Sequence, residues 1–87
     1  MKSDVTFSPA GWADYLYWQT EDRKTLKRIN QLIEDVLRNG VSVGIGKPER
    51  LKHIDGWSRR IDSANRLAYT VENGTLILLS CRGHYEE

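Results

Sequence analysis

Between Asp22 and Gly40, apolar side chains recur at Leu26, Ile29, Leu32, Ile33, Val36 and Leu37, the three- and four-residue spacing of a helix with one dry face. A helix of this kind owes most of its stability to packing of that face, so the rest of the chain has to supply a cover. Gly40 is placed to end the helix in a left-handed conformation. Upstream, Val5-Thr6-Phe7 is a short strand candidate. Ser8-Pro9 then offers an N-cap followed by the residue best suited to a first helical position. Trp12, Tyr15, Leu16 and Trp18 continue at helical spacing, a stripe that reads as core. Two helices separated by a few residues around Thr20-Glu21 predict a helical hairpin.

After residue 40 the helical period stops. Gly40 to Lys47 contains three glycines and reads as a loop that delivers Lys47-Pro48-Glu49 to the surface. Arg50-Leu51-Lys52 begins an edge strand, Trp57 to Asp62 alternates as a strand, and Ser63-Ala64-Asn65 turns. Leu67, Tyr69 and Val71 share one face of the next strand, which places Arg66 on the other. Asn73-Gly74 predicts a type I′ hairpin, because both residues tolerate positive φ, and Thr75 to Arg82 completes it. The expected class is α+β: an N-terminal strand and a two-helix hairpin packed on an antiparallel sheet, in a single domain over residues 1–87. A chain of this length buries only roughly 60–65% of the surface its unfolded state exposes, so its stability is modest.

The formal net charge of +1 hides a local positive field. Lys47, Arg50, Lys52, Arg59, Arg60 and Arg66 stand in one stretch against Glu49, Asp55 and Asp62. A second basic group, Arg23, Lys24, Lys27 and Arg28, opens the long helix. Both fit nucleic-acid phosphates, and both equally fit solvated faces. The single cysteine, Cys81, excludes an internal disulfide, suits a reducing cytosol and reads as a small hydrophobe in a strand. With two scattered histidines and no paired cysteines, no metal or other cofactor is expected. The longest apolar run, Leu76 to Leu79, is far too short to span a bilayer, so a cytoplasmic location is expected and no membrane partner.

One scattered polar set carries chemistry. Glu49, Arg59 and Arg60, Arg66, and the pair His84-Tyr85 supply a carboxylate, guanidiniums, an imidazole and a phenol. These are the parts a metal-free ribonuclease needs: a base, an acid, and cations that bind a charged phosphate. Attack by a ribose 2′-hydroxyl on its neighbouring phosphate requires one proton removed and another delivered to the departing 5′-oxygen. An imidazole, whose ordinary pKa is about 6.5, can carry that second proton near neutrality. Taken singly, Glu49 reads as a surface carboxylate, His84-Tyr85 as a frayed end, and His53 as a structural residue or peripheral RNA contact. If Trp57 to Ile61 is a strand, Arg59 and Arg60 project to opposite faces, and one of them pairs with a carboxylate instead of RNA.

Taken together, several segments resemble the YoeB toxins of the RelE superfamily. They are Trp12 with Asp14-Tyr15-Leu16-Tyr17-Trp18, Gly46-Lys47-Pro48-Glu49 with Leu51-Lys52-His53, Trp57-Ser58-Arg59-Arg60-Ile61, Arg66-Leu67 with Tyr69, and Cys81-Arg82 before His84-Tyr85. The resemblance implies a RelE-like microbial ribonuclease fold and a toxin of a type II toxin–antitoxin system, an endoribonuclease that cuts messenger RNA in the A site of the 70S ribosome. It implies Glu49 as general base, Arg66 as transition-state stabiliser, His84 as general acid and Tyr85 in substrate placement or catalysis. Lys52, Arg59 and Arg60, with His53 more weakly, fall in the RNA-binding set, and Arg23, Lys24, Lys27 and Arg28 are a docking surface for ribosomal RNA. It further implies a YefM-like antitoxin covering the His-Tyr site, and homodimers in some relatives.

The chain also departs from the family pattern. Ile54-Asp55-Gly56 is shorter than the usual loop, Arg50 stands where proline is common, and Glu86-Glu87 follow the His-Tyr pair and could repel RNA phosphates. Two rival expectations are a gyrase-directed toxin resembling ParE and a catalytically silent RNA- or protein-binding module.

Overall fold

A single residue, Asp22, joins helix α1 (Pro9–Glu21) to helix α2 (Arg23–Asn39) in the computed structural model, which describes residues 4–87. Met1-Lys2-Ser3, part of the expected domain, lie outside the described residues. Asp22 serves both helices. Its backbone N–H donates to the Trp18 carbonyl at 3.1 Å and closes α1, while its carboxylate accepts from the N–H groups of Lys24 and Thr25 and opens α2. At the other end of α1, the Ser8 side chain accepts from the Gly11 N–H at 3.0 Å, with Pro9 in the first turn, as the sequence predicts.

The helices cover one face of a five-stranded sheet made of β1 (Asp4–Phe7), β2 (Glu49–Arg50), β3 (Trp57–Arg60), β4 (Arg66–Glu72) and β5 (Thr75–Ser80), in the order β1-β5-β4-β3-β2. The class is α+β, but the sheet is mixed: β1 runs parallel to β5, with Phe7 opposite Leu78, and the other neighbours are antiparallel. A parallel pair needs a crossover: the helical hairpin carries the chain from β1 to β2 at the far edge, and β3 and β4 bring it back to β5 beside β1. Asn73 and Gly74, at φ 51° and 79°, turn the β4–β5 hairpin as expected.

Ile29, Leu32 and Val36 of α2 meet Leu67, Tyr69, Leu76 and Leu78 of the sheet in the core, with Ile29 and Leu32 fully buried. Removing one such side chain from water stabilises the fold by about 1.5–3 kcal/mol. Helix α1 lies close against β5: a Cβ added at Gly11 would meet the Leu78 carbonyl oxygen at 2.3 Å.

Three expectations need correcting. The aromatic stripe of α1 is only partly core. Trp18 is buried, but Trp12 and Leu16 are 47% and 43% exposed, because α1 covers the sheet margin with one narrow edge. Gly40 has the expected positive φ of 95°, yet its ψ of 179° carries the chain into an extended conformation open essentially to glycine alone, not a left-handed turn. The edge strand begins earlier and is shorter than expected, at Glu49–Arg50, since the Leu51 N–H already turns to the Gly56 carbonyl at 2.9 Å.

Candidate active site

The face of the sheet turned away from the helices carries a row of residues across four strands: Glu49 opposite Ser58, Ser58 opposite Ala68, and Ala68 opposite Ser80. Ser58, Ala68 and Ser80 are small and buried, and this low strip of the face, bordered by Glu49, is termed the trough. Arg66, diagonal to Ser58, lies in it. Its Nε–H donates to Ser58 Oγ at 3.1 Å, and its Nη2 stands 3.5 Å from Glu49 Oε1. That contact is ionic only; Nη2 is buried and makes no hydrogen bond. Ser80 Oγ, in the same row, is also buried without a partner. Unsatisfied buried polar groups are costly in a fold, which makes Arg66 Nη2 and Ser80 Oγ candidate contacts for a polar group from outside.

Glu49 is aimed by a bulge. The Arg60 N–H donates to the Gly46 carbonyl at 2.6 Å while Glu49 pairs with Ser58, so three steps along one strand match two along the other. Lys47, at φ 51°, takes the extra residue in a left-handed conformation. Arg50, one residue on, faces away from the trough, where it lies over the Trp57 ring and pairs with Asp55 at 3.4 Å.

The backbone leading to His84 is pinned from both sides. Asp14 of α1 accepts from the Cys81 N–H at 3.0 Å, and Trp18 Nε1–H donates to the Cys81 carbonyl at 2.8 Å. The Arg82 guanidinium sits 3.6 Å from the centre of the Tyr17 ring. Beyond it, the Gly83 N–H donates to Asn65 Oδ1 at 2.8 Å, and its carbonyl accepts from the Arg66 N–H at 3.0 Å. The residue before His84 is thus bonded to the backbone of Arg66 itself. His84 is exposed and Tyr85 half-buried. Cys81 is a buried thiol pushed up to about 12 by desolvation, the small buried group the sequence predicts, but it lies just past the end of β5 and not in a strand.

The structure divides the two adjacent arginines. Arg60 is exposed and shares the trough face, opposite Arg66. Arg59 points to the helix side, is fully buried, and leaves the RNA-binding set. Its Nε–H donates to Tyr69 Oη at 2.9 Å, Nη1 to Asp35 Oδ2 at 2.5 Å and the Ile45 carbonyl at 3.1 Å, and Nη2 to the Gly40 and Val43 carbonyls at 2.8 and 2.7 Å. All five guanidinium donors are engaged, and none remains for a phosphate. Strand alternation, which the sequence shows, anticipates that one of the pair binds a carboxylate. Arg59 instead fixes the loop that leads from α2 to Glu49.

Lys52 and His53 are exposed in the loop after β2, and Arg23, Lys24 and Lys27 are exposed at the start of α2. Arg28 is partly buried and reaches the Arg60 carbonyl at 3.4 Å. No three His, Cys, Asp or Glu side chains converge among the described residues. No described helix is long and apolar enough to cross a membrane. An apolar hollow at the far end of α2, lined by Val36, Leu37, Val41, Val71 and Leu76, contains none of these polar residues. Sequence reasoning missed Ser58 and Asn65. The spacing of Ser58 from Arg60 places it on the Arg66 face, but the Asn65–Gly83 bond joins segments too distant in sequence to be read from either.

Residues 7–85 match the profile of a protein family described as "YoeB-like toxin of bacterial type II toxin-antitoxin system". The chain is 49% identical over 84 residues to the toxin YoeB of Synechocystis, covering 94% of this chain and 96% of that one. It is 48% identical over 83 residues to the toxin YoeB of Escherichia coli K12, covering 93% and 98%. Among solved structures it is similar to a YoeB dimer from Staphylococcus aureus, with a TM-score of 0.90, 44% identity, and 98% of this chain and 100% of that one covered. It is equally similar in sequence to a heterotetrameric YoeB–YefM complex from the same species, at a TM-score of 0.87 with the same coverage.

Proposed function

The chain belongs to the YoeB-like toxins of bacterial type II toxin–antitoxin systems, and from that membership we propose that it is a ribosome-dependent endoribonuclease that cuts messenger RNA in the A site. The observation that supports this reading is Arg66: a guanidinium held by Ser58, with a buried Nη2 free of hydrogen bonds, beside a carboxylate and bonded through its backbone to the residue before His84.

In the proposed reaction Glu49 takes the proton of a ribose 2′-hydroxyl, and the resulting oxygen attacks the adjacent phosphorus in line with the 5′-oxygen. Arg66 turns its unused donor to the phosphate oxygens as charge builds on them; a planar fork of N–H groups suits this better than an ammonium. His84 gives its proton to the departing 5′-oxygen as the P–O bond breaks, and Tyr85 helps place the nucleotide. The products are a 2′,3′-cyclic phosphate and a 5′-hydroxyl. Arg60, exposed on the trough face, and Lys52, exposed in the loop after β2, hold the RNA backbone, with His53 as a peripheral contact. The basic start of α2 docks on ribosomal RNA.

So small a trough has little surface with which to order a flexible strand, and a ribosome that holds the codon near the attack geometry supplies that ordering. An antitoxin of the YefM kind, as in the Staphylococcus aureus complex, is the partner proposed in the resting cell, with the cytoplasm as the site of action. Mapping RNA ends in a translation mixture with and without ribosomes tests the proposal. Cuts that require ribosomes support it; rapid cleavage of naked RNA, unchanged by ribosomes, contradicts it. Growth arrest with inhibited gyrase and intact messenger would favour the ParE-like reading instead.

A further inference from the structure

The loop between β2 and β3 forms a small anion site. Three successive backbone N–H groups converge there: Lys52 and Ile54 donate to Glu87 Oε2 and Oε1 at 2.8 and 3.2 Å, and His53 donates to Oε1 between them. Consecutive backbone donors around one concavity form a nest, a geometry that takes carboxylate and phosphate groups alike. The loop is short and fixed at both ends. The Leu51 N–H bonds the Gly56 carbonyl, and Thr70 Oγ1–H donates to the Asp55 carbonyl at 2.7 Å. Lys52 and His53 contribute two of the three N–H groups, and among the described residues the Glu87 carboxylate is the group bonded to all three.

The path of the chain links this nest to the trough. Gly83 is bonded to Asn65 and Arg66 at one end of β4, and Glu87 to the loop beyond β2, two strands away and toward the opposite end of the sheet. The segment between, which carries His84 and Tyr85, thus runs from Arg66 past the strand that bears Glu49. Arg66 and the nest thus stand at the two ends of the segment that carries His84 and Tyr85.

We propose that the Lys52–His53–Ile54 nest is a phosphate subsite for the RNA backbone, and that Glu87 occupies it in the RNA-free protein as an internal competitor. This rests on the ribonuclease reading for its ligand, but not for the existence of the anion site. Opening the nest exchanges one set of charge-assisted hydrogen bonds for another, so the exchange is reversible. If Glu87 fills the nest in nine molecules of ten, an incoming phosphate binds about tenfold more weakly than to an open nest.

The test follows the backbone amide resonances of Lys52, His53 and Ile54 while inorganic phosphate, and then a 2′-O-methylated RNA that cannot be cut, is added. Native protein, Glu87→Gln and Glu86→Gln are compared; Glu86→Gln removes the same charge from a residue with no bond to the nest. The proposal expects both ligands to move all three resonances, with half-saturation about tenfold lower in Glu87→Gln than in the other two proteins. Resonances unmoved by phosphate in Glu87→Gln, or equal affinities in all three proteins, would overturn it. A response to phosphate but not to RNA would overturn the assigned ligand. Because none of these readings needs cleavage, loss of the ribonuclease reading on ribosomes remains a separate result.

Discussion

Ser58 holds Arg66 at the centre of the trough: the guanidinium donates through Nε to Ser58 Oγ at 3.1 Å, which leaves Nη2 pointed at Glu49 from 3.5 Å with no hydrogen bond of its own. Ser58 touches no substrate in the proposed reaction. Its role is to fix the direction of the fork. Ser58→Ala is therefore expected to keep the fold and lower kcat by about tenfold to a hundredfold, with KM little changed, because a displaced catalytic group loses rate faster than binding. Equal kcat in single-turnover assays on programmed ribosomes would show that Arg66 needs no such support.

Arg66→Lys retains the charge and removes the fork. A loss of about a hundredfold to a thousandfold in kcat is expected, the range found when a preorganised donor to a developing anion is lost. Far-UV circular dichroism should match the native protein, since Arg66 lies outside the core. A fully active lysine variant would reduce the role of Arg66 to that of a point charge.

Arg59 and Asp35 carry the loop Gly40 to Gly46. Arg59→Ala takes the guanidinium donors from the Gly40, Val43 and Ile45 carbonyls and leaves the Asp35 carboxylate with only the Asn39 amide and the Ile45 N–H. Removing one partner of a buried, hydrogen-bonded ion pair costs about 3–5 kcal/mol, a large share of the stability of a small domain. Urea denaturation should show it, and Arg59→Lys should recover little, because three donors on a point charge cannot replace a five-donor fork.

The same pair sets a dependence on pH. The hydrogen bond from Arg59 holds the Asp35 carboxyl below the usual carboxylate range, and the Thr25 hydroxyl does the same for Asp22. A lowered folded pKa means stability that is fully present above the unfolded value of about 3.9 and lost as pH falls through the folded one. Native protein should lose stability between about pH 5 and pH 2, and Asp35→Asn, already weaker at neutral pH, should lose less over that interval. Parallel urea midpoints for the two proteins across this range would contradict the assignment.

Two glycines separate strain from collision. Gly40 and Gly44 both have positive φ, at 95° and 127°, but a Cβ at Gly40 meets open space while one at Gly44 would lie 1.8 Å from Asp35 Oδ2. Gly40→Ala should cost about 1–3 kcal/mol as backbone strain alone. Gly44→Ala should cost more, since it also drives apart the Asp35–Arg59 pair; equal melting temperatures would show that the loop yields.

Local pattern in the sequence anticipates the parts of the fold that depend on neighbours in the chain. The period from Leu26 to Leu37, the cap at Ser8-Pro9 and the turn at Asn73-Gly74 each state their structure directly. Alternation also placed Arg66 opposite Leu67 and set Arg59 apart from Arg60. The parallel pairing of β1 with β5 was not legible, because it joins strands about seventy residues apart with two helices and three strands between them. Nor was the full engagement of Arg59, whose five bonds draw on Asp35, Gly40, Val43, Ile45 and Tyr69. Glu49, Arg66 and His84 could be named from residue type and family pattern, but what holds them, Ser58, Asn65, Asp14 and Trp18, appears only when the strands are side by side.

The most direct measurement is the chemistry of the cut ends. Messenger RNA from a ribosome-containing translation mixture is analysed for 2′,3′-cyclic phosphate and 5′-hydroxyl termini, comparing native protein with Glu49→Gln and His84→Ala. Native protein is expected to leave these termini within the A-site codon, and each variant, correctly folded, to cut at least about a hundredfold more slowly, the lower end of what a general base or acid contributes. Undiminished cutting by either variant, or 5′-phosphate ends from the native protein, would contradict the acid–base reaction assigned to this trough.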